Sequence, residues 1–290
     1  MIKDETYTLS NGNKIPRLGY GTWMIPENSA AEAVGLAVSA GYQLIDTAQA
    51  YANEKGVGEG VRTCGIKREN LFVTSKVAAE NKSYESAMRS IDETLEKMDI
   101  GYLDLMIIHA PQPWAEWRGE KRYFEENKQV WKALERAYEE GKLKAIGVSN
   151  FLEDDLASLL PSCNVRPMVN QILTHIGNTP LSLIETCEKE GILVESYSPI
   201  GHGQILKNPQ VVAMAEKYNV TPAQLCIRYT VQLGTVSLPK ASSREHIREN
   251  ARVDFAIGEE DMKTLKTMSI PGPYGKYAAF PVFSGKRQIS

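Results

Sequence analysis

Four side chains stand where they could carry out chemistry: Asp46 and Tyr51 in IDTAQAYANE, Lys76 in VTSKV and His109 in MIIHAP. Asp46, Lys76 and His109 each lie at or just past the end of an apolar, strand-like run, and Tyr51 follows Asp46 by five residues. A tyrosine is a poor acid at neutral pH, with an unperturbed pKa near ~10. A lysine cation beside it, itself held by a carboxylate, favours the phenolate, so the expectation is a lowered Tyr51 pKa. A histidine nearby can hold a carbonyl oxygen in place for protonation. Together they would deliver a proton, and a hydride donor would complete the reaction.

These side chains need a scaffold that gathers strand ends. Near the start, TYTLSNGNKIPRL reads as a hairpin around Asn11-Gly12-Asn13, a tight-turn signal. RLGYGT is followed by SAAEAVGLAVSAG, a buried helix that Gly41 can end. In SYESAMRSIDETLEKM, Tyr84, Met88, Ile91, Leu95 and Met98 share one face of an amphipathic helix. Thr221 and Pro222 open the helix TPAQLCIRYTVQLG as N-cap and first-turn residue. TVSLPK reads as the last strand and SREHIRENA as the helix after it. Eight strand–helix alternations at about 30 residues each favour a closed parallel sheet. The expected architecture is a (β/α)8 TIM barrel in one domain, 1–290, with an N-terminal β-hairpin cap and long substrate loops at the carboxyl face. That face carries the chemistry of such barrels. Asp46, Lys76, His109, Ser149-Asn150, Gln171, Tyr197 and Lys240 are all expected there, at strand ends.

Composition narrows the function. The 290 residues are 42% apolar and 24% charged with net charge −3, which offers no basic field for nucleic acid. No apolar stretch approaches the ~20 residues of a membrane span, and the polar N-terminus lacks the core of a signal peptide. Cys64, Cys163, Cys187 and Cys226 have no CxxC spacing and read as free thiols in a cytoplasmic protein. Four histidines without ligand spacing give no reason to expect zinc. The expected partner is a small-molecule carbonyl substrate, and the expected state a monomer.

The segments GYGTW, IDTAQAYANE, VTSKV, LDLMIIHAP, IGVSNF, MVNQI, ESYSPIG and LPKASSREHIREN, in this order, resemble the aldo-keto reductases over nearly the whole length. The likeness is nearest to bacterial members called 2,5-diketogluconate reductases. The resemblance implies that Tyr51 is the general acid, that Lys76 and Asp46 tune it, and that His109 orients the carbonyl. It implies that Ser149, Asn150 and Gln171 bind the nicotinamide carboxamide, that Tyr197 stacks on the ring, and that Ser198 to Leu206 wraps the pyrophosphate. Lys240, Ser242, Arg244, His246, Glu249 and Asn250 would surround the adenosine end. Trp23, Tyr51, His109 and Trp114 would face the substrate.

The chain departs from the family in places. Ala241 stands where many members have serine, and His246 where they have the arginine that holds the 2′-phosphate of NADPH. A largely neutral imidazole cannot make a guanidinium's bidentate contact. Lys240 and Arg244 still make NADPH the expected coenzyme, with NADH use open. Ala78 and Ala110 replace two tryptophans of several members, which predicts a wider, less apolar pocket unless Trp114, Trp117, Tyr123 and Phe124 of the excursion after His109 refill it. The tail from Pro271 carries Tyr274, Tyr277, Phe280 and Phe283 with three basic residues, a pattern that suits either a docked end or an anionic substrate. Gly56 to Gly60 (GVGEG) lacks dinucleotide spacing and reads as a close-packed helix, whereas Gly201 to Gln204 follows a strand end and has the better claim to phosphate. His175 is expected to be structural or at the pocket rim, not catalytic, and His202 a loop residue. Two rival functions remain. A Schiff-base lyase would need an uncharged Lys76, which an Asp46 partner opposes. A nicotinamide-nucleotide-binding regulatory subunit without turnover would keep the fold and lose the chemistry.

Overall fold

The structure is a computed structural model that describes residues 1–270 and 274–285. It opens with the antiparallel hairpin β1 (Thr6–Thr8) and β2 (Lys14–Pro16), whose loop Gly12 turns with φ +89°. The barrel strands follow: β3 (Gly19–Gly21), β4 (Leu44–Asp46), β5 (Phe72–Val77), β6 (Leu105–Ile108), β7 (Ile146–Ser149), β8 (Val169–Leu173), β9 (Leu193–Tyr197) and β10 (Val236–Leu238). They are parallel and paired in chain order. Leu18 bridges Ser237, and the Ser237 N–H donates to Arg17 O and the Gly21 N–H to Pro239 O, both at 3.0 Å, so the last strand meets the first. The expected (β/α)8 barrel is what forms.

The helices are α1 (Glu27–Ser39), α2 (Glu54–Thr63), α3 (Tyr84–Met98), α4 (Phe124–Glu139), α5 (Glu153–Leu159), α6 (Leu181–Lys189), α7 (Pro209–Lys217), α8 (Pro222–Gln232), α9 (Arg244–Asn250) and α10 (Glu259–Thr267). Local sequence explains several ends. Ser83 and Ser86 form a capping box on α3, and Thr221 with Gln224 form another on α8, with Pro222 at the first helical position. The apolar stripe of α3 packs inward as expected, through Ile91 and Met98 with Tyr84, Met88 and Leu95 beside them. Sequence periodicity did not single out α7 or α10, which are short and carry brief apolar faces.

The hairpin closes the amino-terminal mouth. Leu9 and Ile15 pack with Leu44, Phe72, Leu105 and Val236 from the starts of the strands, and Asn11 and Asn13 donate to Lys144 O at 2.9 and 2.7 Å. A plugged amino end leaves the carboxyl end for chemistry. Two strand predictions shift there. Lys76 is the next-to-last residue of β5, and Gln171 is the middle residue of β8, directly beside Glu195 of β9. Gln171 therefore points into the barrel interior below the rim, not from its edge.

The glycines of α2 are packing residues, as expected for GVGEG. A Cβ on Gly56 would sit 2.2 Å from Glu27 O, and one on Gly58 2.2 Å from Met98 O. Helix α2 is thereby drawn against both α1 and the end of α3. Gly58→Ala would gain up to ~1 kcal/mol of helix propensity, but backbone cannot yield to a contact that short. Overpacking of this kind costs roughly 1–3 kcal/mol, so Gly58→Ala should lower the denaturation midpoint. An unchanged or raised midpoint would contradict the close approach.

Candidate active site

At the centre of the carboxyl face the Lys76 ammonium donates to Asp46 Oδ1 at 2.6 Å and to Thr47 O at 2.8 Å. Both partners of the pair are almost wholly buried. Below it, Gln171 Nε2 donates to Asp46 Oδ2 and to Glu195 Oε2, each at 2.9 Å. Glu195 is fully buried. Burial and the nearby Asp46 charge push its carboxyl up to about 7. It was not among the residues singled out from sequence, where ESYSPIG directs attention to Tyr197. The available signal was a charged residue in the middle of an apolar strand.

Tyr51 reaches this centre through a short 3-10 turn, Gln49–Tyr51, that begins three residues after β4. Asn53 holds the start of the turn by accepting from Thr47 Oγ1 at 2.8 Å and donating to Thr22 O and Ile25 O. Gln49 ties it to two neighbours, accepting from the Ala78 N–H at 2.8 Å and donating to Ser90 O and Thr94 Oγ1. Ala52 ends the turn in the left-handed region at φ +54°, a conformation that costs a non-glycine residue roughly 1–2 kcal/mol and persists where surroundings impose it. The Lys76 ammonium lies 5.0 Å from the Tyr51 ring centroid. The His109 ring is 5.6 Å from the Tyr51 ring, edge-on.

The protonation of these groups departs from expectation in one respect. Tyr51 is pushed well above 10.0, not below it, first by burial and then by the Asp46 charge. The Lys76 ammonium, paired with Asp46 at contact distance, does not bring it back below 10.0 in the resting site. His109 is pushed well below 6.5 by burial and then by the Lys76 charge. At neutral pH the site therefore holds a phenol and a neutral imidazole. The imidazole Nδ1 is buried and has no hydrogen-bond partner among the described residues.

These groups open onto a cavity of about 600 Å³ lined by Trp23, Asp46, Tyr51, His109, Trp114, Ser149, Asn150, Gln171, Tyr197, Ser198, Lys240 and Ser242, among others. Ser149 donates to Gln171 O at 2.8 Å, Asn150 to His109 O at 3.0 Å, and the Tyr197 hydroxyl to Asn150 Oδ1 at 2.7 Å. Asn150 and Ser198 both take left-handed φ values, +62° and +53°. A second cavity of about 370 Å³ shares Ile200, Lys240 and Ala241 with the first, and adds Leu206, His246, Glu249 and Asn250. Arg244 lines neither cavity and lies exposed at the start of α9. Lys240 Nζ donates to Ser242 Oγ at 2.8 Å.

The apolar half of the large cavity is refilled as the excursion allows. Trp114 stands 5.0 Å from the His109 ring, and Trp117 packs on Ala110 and Ala79, so indoles occupy space that Ala110 leaves. Tyr123 and Phe124 do not line the cavity. The tail docks over it: Tyr277, Phe280, Pro281, Val282 and Phe283 form part of the wall. His202 does more than the loop role expected of it, stacking on Tyr277 at 4.3 Å with Phe283 edge-on at 4.3 Å. His175 is structural, buried with Nε2 2.9 Å from the Tyr274 hydroxyl. Of the tail's basic residues, Lys276 is exposed, while Lys286 and Arg287 lie outside the described residues. No helix among the described residues is long and apolar enough to cross a membrane.

Fold and site together define a barrel oxidoreductase of carbonyl compounds. The chain belongs to the Aldo/keto reductase family, whose profile matches residues 17–270; the family works with nicotinamide coenzymes. It is 40% identical over 270 residues to a glyoxal reductase of Bacillus subtilis, covering 92% of this chain and 94% of that protein. It is also 40% identical to a 9,11-endoperoxide prostaglandin H2 reductase of Trypanosoma cruzi, covering 90% of each. The crystal structure of an aldo/keto reductase from Brucella melitensis superposes with TM-score 0.84 at 35% identity, covering 90% of this chain and 98% of that one.

The buried carboxyl makes a prediction about stability. Glu195 titrates at about 7 in the folded chain against an ordinary 4.5, so the folded state holds its proton more tightly. Its contribution is full below about 4.5 and declines as pH rises through about 7. The melting temperature of Glu195→Gln should match the wild type at the acid end and rise above it across this window. A gap of constant size across the window would contradict the raised carboxyl.

Proposed function

We propose that the chain reduces aldehydes or ketones to alcohols, with NADPH as preferred hydride donor and Tyr51 as proton donor. One observation carries this reading: Tyr51 and His109 meet over a buried Lys76–Asp46 pair on the wall of a cavity that continues into a second one. The two adjoining cavities suit a dinucleotide, with the nicotinamide end in the larger and the adenosine end in the smaller. Ser149, Asn150 and Gln171 would hold the carboxamide, Tyr197 the ring face, Ser198 to Leu206 the pyrophosphate, and Lys240, Ser242, His246, Glu249 and Asn250 the adenosine end. The coenzyme supplies the hydride.

The rest falls to the chain's own residues. Tyr51, kept protonated by burial, gives its proton to the carbonyl oxygen as negative charge develops there. His109, neutral, offers one N–H to the same oxygen; the Nε2–H tautomer leaves Nδ1 as an unpaired acceptor. Two preplaced donors of this kind are each worth about 3 kcal/mol of barrier. The Lys76 ammonium, fixed by Asp46 and Thr47 O, stabilises Tyr51 as its proton departs. Trp23, Trp114 and the tail aromatics favour substrates with an apolar or aromatic body beside the carbonyl.

Tyr51→Phe should lower kcat by at least ~10²-fold, the lower range for general-acid catalysis, while coenzyme still quenches tryptophan fluorescence. Turnover near wild type would sink the assignment. A wild-type protein that binds coenzyme but turns over no carbonyl would favour the regulatory reading. Coenzyme choice is tested separately. His246 lines the second cavity with Lys240, so His246→Arg should raise the ratio of kcat/KM with NADPH to that with NADH. An unchanged ratio would refute this placement of the 2′-phosphate.

A further inference from the structure

The coenzyme reading assigns Gln171 to the carboxamide but leaves Glu195 without a task. Gln171 Nε2 has two hydrogens, and both are directed at carboxyl oxygens, Asp46 Oδ2 and Glu195 Oε2. The reversed amide would set its carbonyl oxygen against two carboxyl groups, so the chemistry of the neighbours fixes which end is which. The carbonyl Oε1 is then the end left to face the cavity that Gln171 lines, an acceptor for an amide N–H. A glutamine at 195 could accept the same hydrogen bond. A carboxyl group there, with Oε1 buried and without a partner among the described residues, does something an amide would not.

The difference is charge. The ionisable groups facing Glu195 are Asp46 from β4 and Lys76 from β5; Gln171 from β8 is neutral, and its partner in β10 is Val236. With Glu195 protonated, Asp46 and Lys76 cancel and the buried cluster is neutral. With Glu195 ionised, it carries one negative charge one side chain below the cavity. An oxidised nicotinamide ring is a cation and the reduced ring is neutral, so that charge acts on one form only.

Resting on the nicotinamide reading above, we propose that Glu195 is a positioning residue that sets the orientation of Gln171 and, through its own charge, the balance of affinity between oxidised and reduced coenzyme. Burial places its titration at about 7, whereas Tyr51 and His109 are pushed away from neutrality in opposite directions. Of these three buried groups, Glu195 is the one whose charge changes in the neutral range.

The test is a fluorescence titration of the full chain with NADPH and with NADP⁺ at pH values on either side of 7. In the wild type the ratio of Kd for NADPH to Kd for NADP⁺ should rise about tenfold, the equivalent of one pKa unit of coupling. Glu195→Gln should hold the acid-side ratio at every pH. Glu195→Ala, which frees Gln171, should weaken both coenzymes several-fold at every pH. Tyr51→Phe should keep the wild-type rise, which separates this effect from the proton donor. A flat ratio in a wild-type protein that binds both coenzymes would overturn the inference and leave the reductase reading standing, as would a wild-type rise in Glu195→Gln. Failure of the wild type to bind either coenzyme would overturn both.

Discussion

A lysine ammonium and an aspartate carboxylate 2.6 Å apart, both shut away from solvent, lie beneath every group assigned to the chemistry. Burying two charges is costly, and the cost is offset only when geometry and further hydrogen bonds are good. Thr47 O takes a second hydrogen from the ammonium, and Gln171 satisfies the second carboxylate oxygen. Removing one partner from such a pair costs about 3–5 kcal/mol, because the other is left charged and alone. The pair therefore constrains four strands at once: Asp46 ends β4, Lys76 belongs to β5, and Gln171 and Glu195 extend the chain of contacts to β8 and β9.

The remainder of the fold serves to keep that centre dry and open on one side. The hairpin plugs the amino end, and the glycines of α2 let three helices pack close behind β4 and β5. At the carboxyl end the backbone is less relaxed: Ala52, Asn150, Ser198 and His202 all have left-handed φ values. Such conformations persist where surrounding contacts impose them, and they cluster at sites of function. Around Tyr51 the imposing contacts are visible in the Asn53 and Gln49 hydrogen bonds. Aromatic side chains then form the outer wall, where His202 joins the loop after β9 to the docked tail.

Much of this was readable from the chain alone, for a physical reason. The period of strand and helix, the capping residues Ser83 and Thr221, and the small residues of GVGEG are local signals, and local signals dictate local structure. The positions of Asp46, Tyr51, Lys76 and His109 could be placed because strand ends of a barrel converge on one face. What was not readable depends on packing. The direction of the Tyr51 shift turns on how far burial outweighs a neighbouring cation already paired with Asp46. Glu195 was not singled out from sequence, because only the strand register sets it beside Gln171. Whether the aromatic tail would dock depended on chain folding back from far along the sequence, and whether Trp114 and Trp117 would fill the space beside Ala110 depended on how the excursion after His109 packs.

The central claim is that the site moves a hydride to a carbonyl carbon while Tyr51 supplies the proton. The most direct measurement follows isotope from an NADPH deuterated at the transferring C4 position into the product alcohol, using an activated dicarbonyl such as phenylglyoxal. The account predicts deuterium on the new carbinol carbon, with the hydroxyl proton drawn from solvent through Tyr51. Product lacking deuterium at that carbon, or coenzyme bound with no alcohol formed, would contradict it.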